Sequence, residues 1–453
     1  HCFAGMKYIV LIAVIITILF SKPWEITFTE EALRQTDTTL LLTASGAELE
    51  NTRLLPASEA FCNSFSELPE TQKMDRIIKR FMKKWEIRGA SFALMKDNKL
   101  LYAKGYGYAD FEQQIPTETR HIFRIASISK LITAARIMKL AEDGRLHLDD
   151  PVFGPTGILN DSIFSSIRDP RAKQITVEHL LRHKAGFTTV HGDPMFCSVD
   201  IARKMDVPPP ADLNTIIRFV LSRRLRYMPG TSTAYSNVGY GILSKVIEKV
   251  SGTTYENYIQ ENFLRPAGCF DMHLGHNLYE ERHENEVRYY ETADEELIPA
   301  CDGSKQLVPK YYGGNHIEAL SGAGAWVASP IELLRFLAVI DGDPRIKDIL
   351  KPETIAQMTA FSFDTLPIGW MHVSYKGDCS RTGTLSGTSA LLKKQHNGYS
   401  WIFVTNTSSW KGSKFPSYIN QMINQALSTV KQWPEKDLFE LQIFDQHEYI
   451  VER

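Results

Sequence analysis

Ser127 and Lys130 stand three residues apart at the head of the run Leu131-Ile132-Thr133-Ala134-Ala135-Arg136-Ile137-Met138-Lys139-Leu140. On a helix that interval sets hydroxyl and amine on one face, which makes a nucleophile with a base alongside. Alone, Ser-x-x-Lys is more often an N-cap serine followed by a solvated lysine. Two further segments change its weight. Pro229-Gly230 leads to Tyr235-Ser236-Asn237, a phenol and an amide on a loop before a helical run. Arg381-Thr382-Gly383-Thr384 sets a cation, two hydroxyls and a small residue beside a strand pattern. A hydroxyl, an amine, a phenol, an amide and a cation are a sufficient kit for acyl transfer.

The order Ser-x-x-Lys, Tyr-x-Asn, then a basic residue with Thr-Gly resembles that of the serine beta-lactamases and penicillin-binding proteins. With Ile175-Thr176-Val177-Glu178-His179-Leu180-Leu181-Arg182-His183-Lys184-Ala185-Gly186, the wording is most similar to the class C type, its esterase and D-aminopeptidase relatives and the eukaryotic beta-lactamase-like proteins. The resemblance covers about residues 71 to 430. It implies that Ser127 attacks a carbonyl while Lys130, partly desolvated, takes the proton. Tyr235 shares that proton and helps activate water for deacylation. Asn237 holds the substrate amide or Lys130, and the backbone N–H groups of Ser127 and Thr384 form the oxyanion hole. Arg381, Thr382, Gly383 and Thr384 line the substrate site, and no metal or organic cofactor is required.

Arg381 departs from the pattern, because relatives usually carry Lys or His there. Arginine can grip a substrate carboxylate with two bonds, yet it cannot give up a proton. No counterpart of the deacylating glutamate of class A enzymes is found. The leading expectation is therefore a serine hydrolase acting through an acyl-enzyme on an ester, amide or peptide. The rival is a non-catalytic binding or scaffold protein that retains the fold, and Arg381 is the feature that keeps it in view.

The elements that must position these groups begin with an amphipathic helix over Thr71 to Glu86, where Met74, Ile77, Ile78, Phe81, Met82 and Trp85 recur at helical spacing. A hairpin follows, with Ala90–Met95 and Leu100–Tyr108 as strands around Asp97-Asn98. Helical patterns dominate from Ile175 to about Phe270, and 273–310 reads as loop-rich. Strands are expected at Gly369–Met371, Ser389–Leu392 and Ser400–Val404, before a last helix carrying Ile419, Met422, Ile423 and Ala426. These predict an α+β fold: an antiparallel sheet flanked by N- and C-terminal helices, plus an inserted all-α region, with the site in the crevice between them. The sheet part is assigned to about 71–126 and 321–432, and the helical part to about 127–320. Residues 21–70 read as a linker of uncertain order and 433–453 as a tail.

At the N-terminus, Met6-Lys7 precedes an uncharged apolar run over residues 8–20. A cleaved signal peptide and an uncleaved signal anchor through 8–20 are the two expectations, and both place the chain in a secreted or membrane-anchored, lumenal or extracellular setting. In that setting the sequons at Asn160 and Asn406 would be glycosylation acceptors. A net charge of -2 over 453 residues argues against nucleic acid as a partner. The expected partner is a small molecule or peptide bearing an acyl group, and oligomeric state is not legible. His179 and His183 have a spacing that can bind zinc, but Leu180 replaces the glutamate of His-Glu-x-x-His, so metal is set aside. There is no Gly-x-Ser-x-Gly elbow and no phosphate-binding glycine loop.

Overall fold

In the computed structural model, which describes residues 52–292 and 296–445, the first amphipathic stretch forms α1, Gln72–Lys84. Met74, Ile78 and Met82 make its buried stripe, and its lysines and arginines take the outer face. The hairpin follows as β1, Gly89–Lys96, and β2, Lys99–Asp110. Its turn residues Asp97 and Asn98 take φ of 52° and 61°, the left-handed pair that a two-residue hairpin turn requires. A short β3, Ile115–Pro116, borders β2.

Three helices from the middle of the chain matter most: α2, Ser129–Glu142; α3, Asn237–Ser251; and α4, Pro330–Ala338. The closing third supplies β4, His372–Val373; β5, Cys379–Leu385; β6, Thr388–Lys394; β7, Tyr399–Thr405; and α5, Phe415–Leu427. The strand expected at Gly369–Met371 begins only at His372, because Gly369 turns the chain with φ 78°.

The seven strands run in the order β4-β5-β6-β7-β1-β2-β3. Every neighbouring pair is antiparallel. On one face α1 and α5 cover Phe92, Leu94, Tyr102, Trp401 and Phe403. On the other, Ala93, Met95, Leu392, Ile402 and Val404 join a larger core with α4 and the helical region. This is the expected α+β arrangement, and its two cores bury the sheet on both faces. The region read as loop-rich holds a small hairpin, Leu297–Pro299 with Leu307–Pro309.

Residues 52–70 and 433–445 do more than a linker and a tail. Thr52–Leu54 pairs antiparallel with Ile443–Asp445, and both segments serve the outer edge of β2. Ser66 Oγ accepts from Ala103 N at 3.0 Å, Asn63 Oδ1 from Gly105 N at 2.8 Å and Asp437 Oδ1 from Leu100 N at 2.9 Å. Side chains thereby satisfy an edge that would otherwise present free donors. Sequence periodicity gave no sign of this, because caps of this kind have no repeat.

The sequon at Asn406 is not an acceptor in this fold. Asn406 is fully buried, its Oδ1 accepting from Gly89 N at 2.7 Å and its Nδ2 donating to Tyr108 O at 2.9 Å. Asn160 is exposed. Residues 8–20 lie outside the described residues, among which no helix is long and apolar enough to cross a membrane. The cysteines among the described residues are unpaired.

Candidate active site

Ser127 sits in a single 3₁₀ turn, Ala126–Ile128, that runs directly into α2. Ala126 takes φ 47°, a left-handed backbone rare for a residue with a side chain, and the chain turns there to present the serine. The turn is wedged against β5. A Cβ on Gly383 would meet Ile125 O at 2.2 Å, so only glycine lets strand and turn approach this closely. Ser127, Thr382 and Thr384 line one crevice of about 280 Å³, together with Tyr235, Asn237 and several apolar side chains.

Lys130 lies one turn into α2 and is fully buried. Its Nζ donates to Ser127 Oγ at 3.1 Å, Asn237 Oδ1 at 2.7 Å and Ala323 O at 2.6 Å, which uses all three of its donors. Burial pushes the Lys130 ammonium down to about 8, against the pull of Tyr235 and with the Arg381 charge adding to the drop. A minor neutral fraction near neutral pH follows, one that grows as pH rises through about 8.

Tyr235 precedes α3, whose N-cap Ser236 accepts from Gly239 N at 3.0 Å. The Tyr235 hydroxyl lies 2.9 Å from Ser127 Oγ and accepts from Arg381 Nη2 at 2.9 Å. Burial alone would make it a weaker acid, but the charges of Arg381 and Lys130 outweigh burial and bring the phenol's pKa down to about 8. Ser127 thus touches two groups that change protonation in the same range.

Arg381 does not stand where a substrate carboxylate could reach it. It is 1% exposed. Its Nε donates to Ser127 O at 2.8 Å, its Nη2 is taken by Tyr235, and its Nη1 faces Met371 Sδ. The substrate-gripping role expected from the sequence is therefore replaced by an internal one: the guanidinium ties the Ser127 backbone to the Tyr235 phenol. Alternation along β5 explains the difference, since Arg381 and Gly383 are buried while Thr382 and Thr384 are partly open.

A family model described as Beta-lactamase matches residues 74–418. The chain belongs to that family. Protein flp of Staphylococcus aureus (strain COL) is 28% identical over 240 residues, 53% of this chain and 43% of that protein, so the chain spans less than half of that relative's length. The structure of the octameric penicillin-binding protein homologue from Pyrococcus abyssi superposes with a TM-score of 0.58 at 27% identity, over 84% of this chain and 81% of the other. D-amino acid amidase from Ochrobactrum anthropi SV3, at 21% identity and a TM-score of 0.62 over 80% of this chain and 99% of the other, shares the fold.

Within this member of the Beta-lactamase family, two residues outside the three motifs complete the cluster. Asp193 Oδ2 accepts from Asn237 Nδ2 at 2.7 Å, which fixes the amide so that its oxygen faces Lys130. Both ends of Asn237 are spent inside the protein, so of its two expected partners the structure shows Lys130. Asp193 also caps the next turn by accepting from Met195 N at 3.0 Å. Nothing in the sequence marks it, as it lies 44 residues from Asn237 on an irregular loop. His183 is buried, stacks on Tyr235 at 4.5 Å and accepts from Ser236 N at Nδ1. Burial, reinforced by Arg381 and Lys130, holds its imidazole well below the ordinary range and so neutral. His179, whose spacing from His183 is set aside as a metal signal, accepts from Thr176 N and caps its own short helix.

Proposed function

We propose that the protein is a serine hydrolase that works through an acyl-enzyme on an ester, amide or peptide. The observation that carries this reading is Ser127 Oγ within 3.1 Å of Lys130 Nζ and 2.9 Å of the Tyr235 oxygen, at the wall of a crevice. Ser127 Oγ bonds to the substrate carbonyl carbon as its proton passes to the Tyr235–Lys130 pair. The bond to the leaving group then breaks, and the leaving atom takes up that proton. The backbone N–H groups of Ser127 and Thr384 act as donors to the oxyanion, each worth about 3 kcal/mol. Water, deprotonated by Tyr235, attacks the acyl-serine and returns Ser127. No metal or cofactor enters any step.

The geometry supports this reading over a non-catalytic scaffold because Arg381, the residue that raised the alternative, lies behind the phenol and lowers it toward neutrality. A secreted or membrane-anchored location is part of the same proposal, supported by the apolar run at 8–20 and the exposed sequon at Asn160. Incubation with a fluorophosphonate probe, which carries no carboxylate, followed by mass spectrometry, tests the enzyme reading. The expected result is an adduct on Ser127 that Ser127→Ala abolishes. Folded protein that takes up no fluorophosphonate would overturn it.

A further inference from the structure

The crevice is more selective than a generic acyl-transfer site, and the selectivity is written in where its charges point. Three basic side chains lie behind Ser127 and Tyr235, and each is buried and turned into the protein. Lys130 gives all its donors to Ser127, Asn237 and Ala323. Arg381 is buried and turned toward Ser127 O and Tyr235. His183 is buried against Tyr235 and Tyr240 with Nδ1 accepting a backbone bond. Among the described residues that line the crevice, none carries a charged side chain, and Phe196, Leu320, Met371 and Leu385 give it apolar walls. What remains for a substrate is the hydroxyl groups of Thr382, Thr384 and Ser413, which bond neutral carbonyls well. Lys411 and Lys414 flank Ser413 in the chain but do not line the crevice, and the Lys411 ammonium is held over the Trp410 ring at 3.9 Å.

Resting on the serine-hydrolase reading, we infer that the substrates are neutral esters or amides with an apolar acyl group, and that a carboxylate near the scissile bond is selected against. A carboxylate entering this crevice exchanges water for neutral hydroxyl partners only, with no cationic side chain in the lining to compensate its charge. The nearby cations do not offset it. Lys130 and Arg381 direct their donors to Ser127, Asn237, Ala323 and Tyr235, and neither lines the crevice to meet a substrate charge.

The test compares phenyl butyrate with 3-carboxyphenyl butyrate, which share an acyl group and a phenolic leaving group and differ by one charge. The expected kcat/KM favours the neutral ester by about tenfold or more, in line with an unpaired carboxylate. Phe196→Lys and, separately, Met371→Lys place a cation on a partly exposed wall and are expected to narrow that ratio by improving the charged ester. A wild-type ratio at or below one, with Ser127 still labelled by the fluorophosphonate, overturns the selectivity and leaves the hydrolase standing. Absence of both labelling and turnover in folded protein overturns the two together.

Discussion

Arg381 governs the protonation of its neighbours through charge and geometry, without exchanging a proton itself. Its guanidinium lowers both Tyr235 and Lys130, so the reactive form of the pair, with phenolate or free amine, should accumulate above about pH 8. We expect kcat/KM to rise with pH and level off above that point. Replacing Arg381 by Met removes a cation that depresses both groups, so both rise and the limb moves up toward about 10, the ordinary value of the phenol. A loss of roughly 10²-fold in kcat at neutral pH should accompany it, the scale of one misplaced base. A limb that stays where it was would show that neither group is the base. At this scale the sequence was informative wherever chemistry needs a specific side chain: Ser127, Lys130 and Tyr235 meet as their motifs implied. Asp193 and the inward turn of Arg381 were not legible. One depends on a loop bringing distant residues together, the other on which face of a strand is buried.

The edge of β5 and the turn before α2 act as a single part. Gly383 is the contact on which they lean, so Gly383→Ala must push Ile125 O away from a Cβ that would sit 2.2 Å from it. The expected outcome is a stability loss of about 1–3 kcal/mol, the usual scale for overpacking, together with loss of Ser127 labelling even in the folded fraction. Thermal denaturation and probe labelling on the same sample separate the two effects. Wild-type labelling in this variant would mean that the turn can slide along the strand without losing the site. At this scale the first and last helices followed from periodicity, and the central strands from apolar runs bounded by turns, as a sheet buried on both faces requires. The edge of β2 did not: its donors are met by Asn63, Ser66 and Asp437, whose positions carry no periodic signal.

For the molecule as a whole, the described ends close on each other over α4. Arg335 is buried on that helix, and its Nε donates to Gln442 Oε1 at 2.7 Å while its Nη2 donates to Phe439 O at 3.2 Å. Gln442 Nε2 donates in turn to Leu55 O at 3.0 Å. Gln442→Ala leaves a buried guanidinium nitrogen unmet, so the midpoint of denaturant unfolding should fall by an amount equivalent to about 1–3 kcal/mol. Labelling of Ser127 in the native state should be unchanged. An unaltered midpoint would show that the two ends are an ornament to the fold rather than part of its cooperative unit.

The pairing of Thr52 with Asp445 carries one more consequence. Facing residues of an antiparallel pair lie only about 5 Å apart, so from 52 to 445 the backbone is nearly a ring with one small gap. A short linker across that gap, with new termini cut at the exposed Asn397-Gly398 turn, would give a circular permutant with the same seven-stranded sheet. It also follows that anything attached before Thr52 and anything attached after Asp445 must leave the body from one spot, as neighbours.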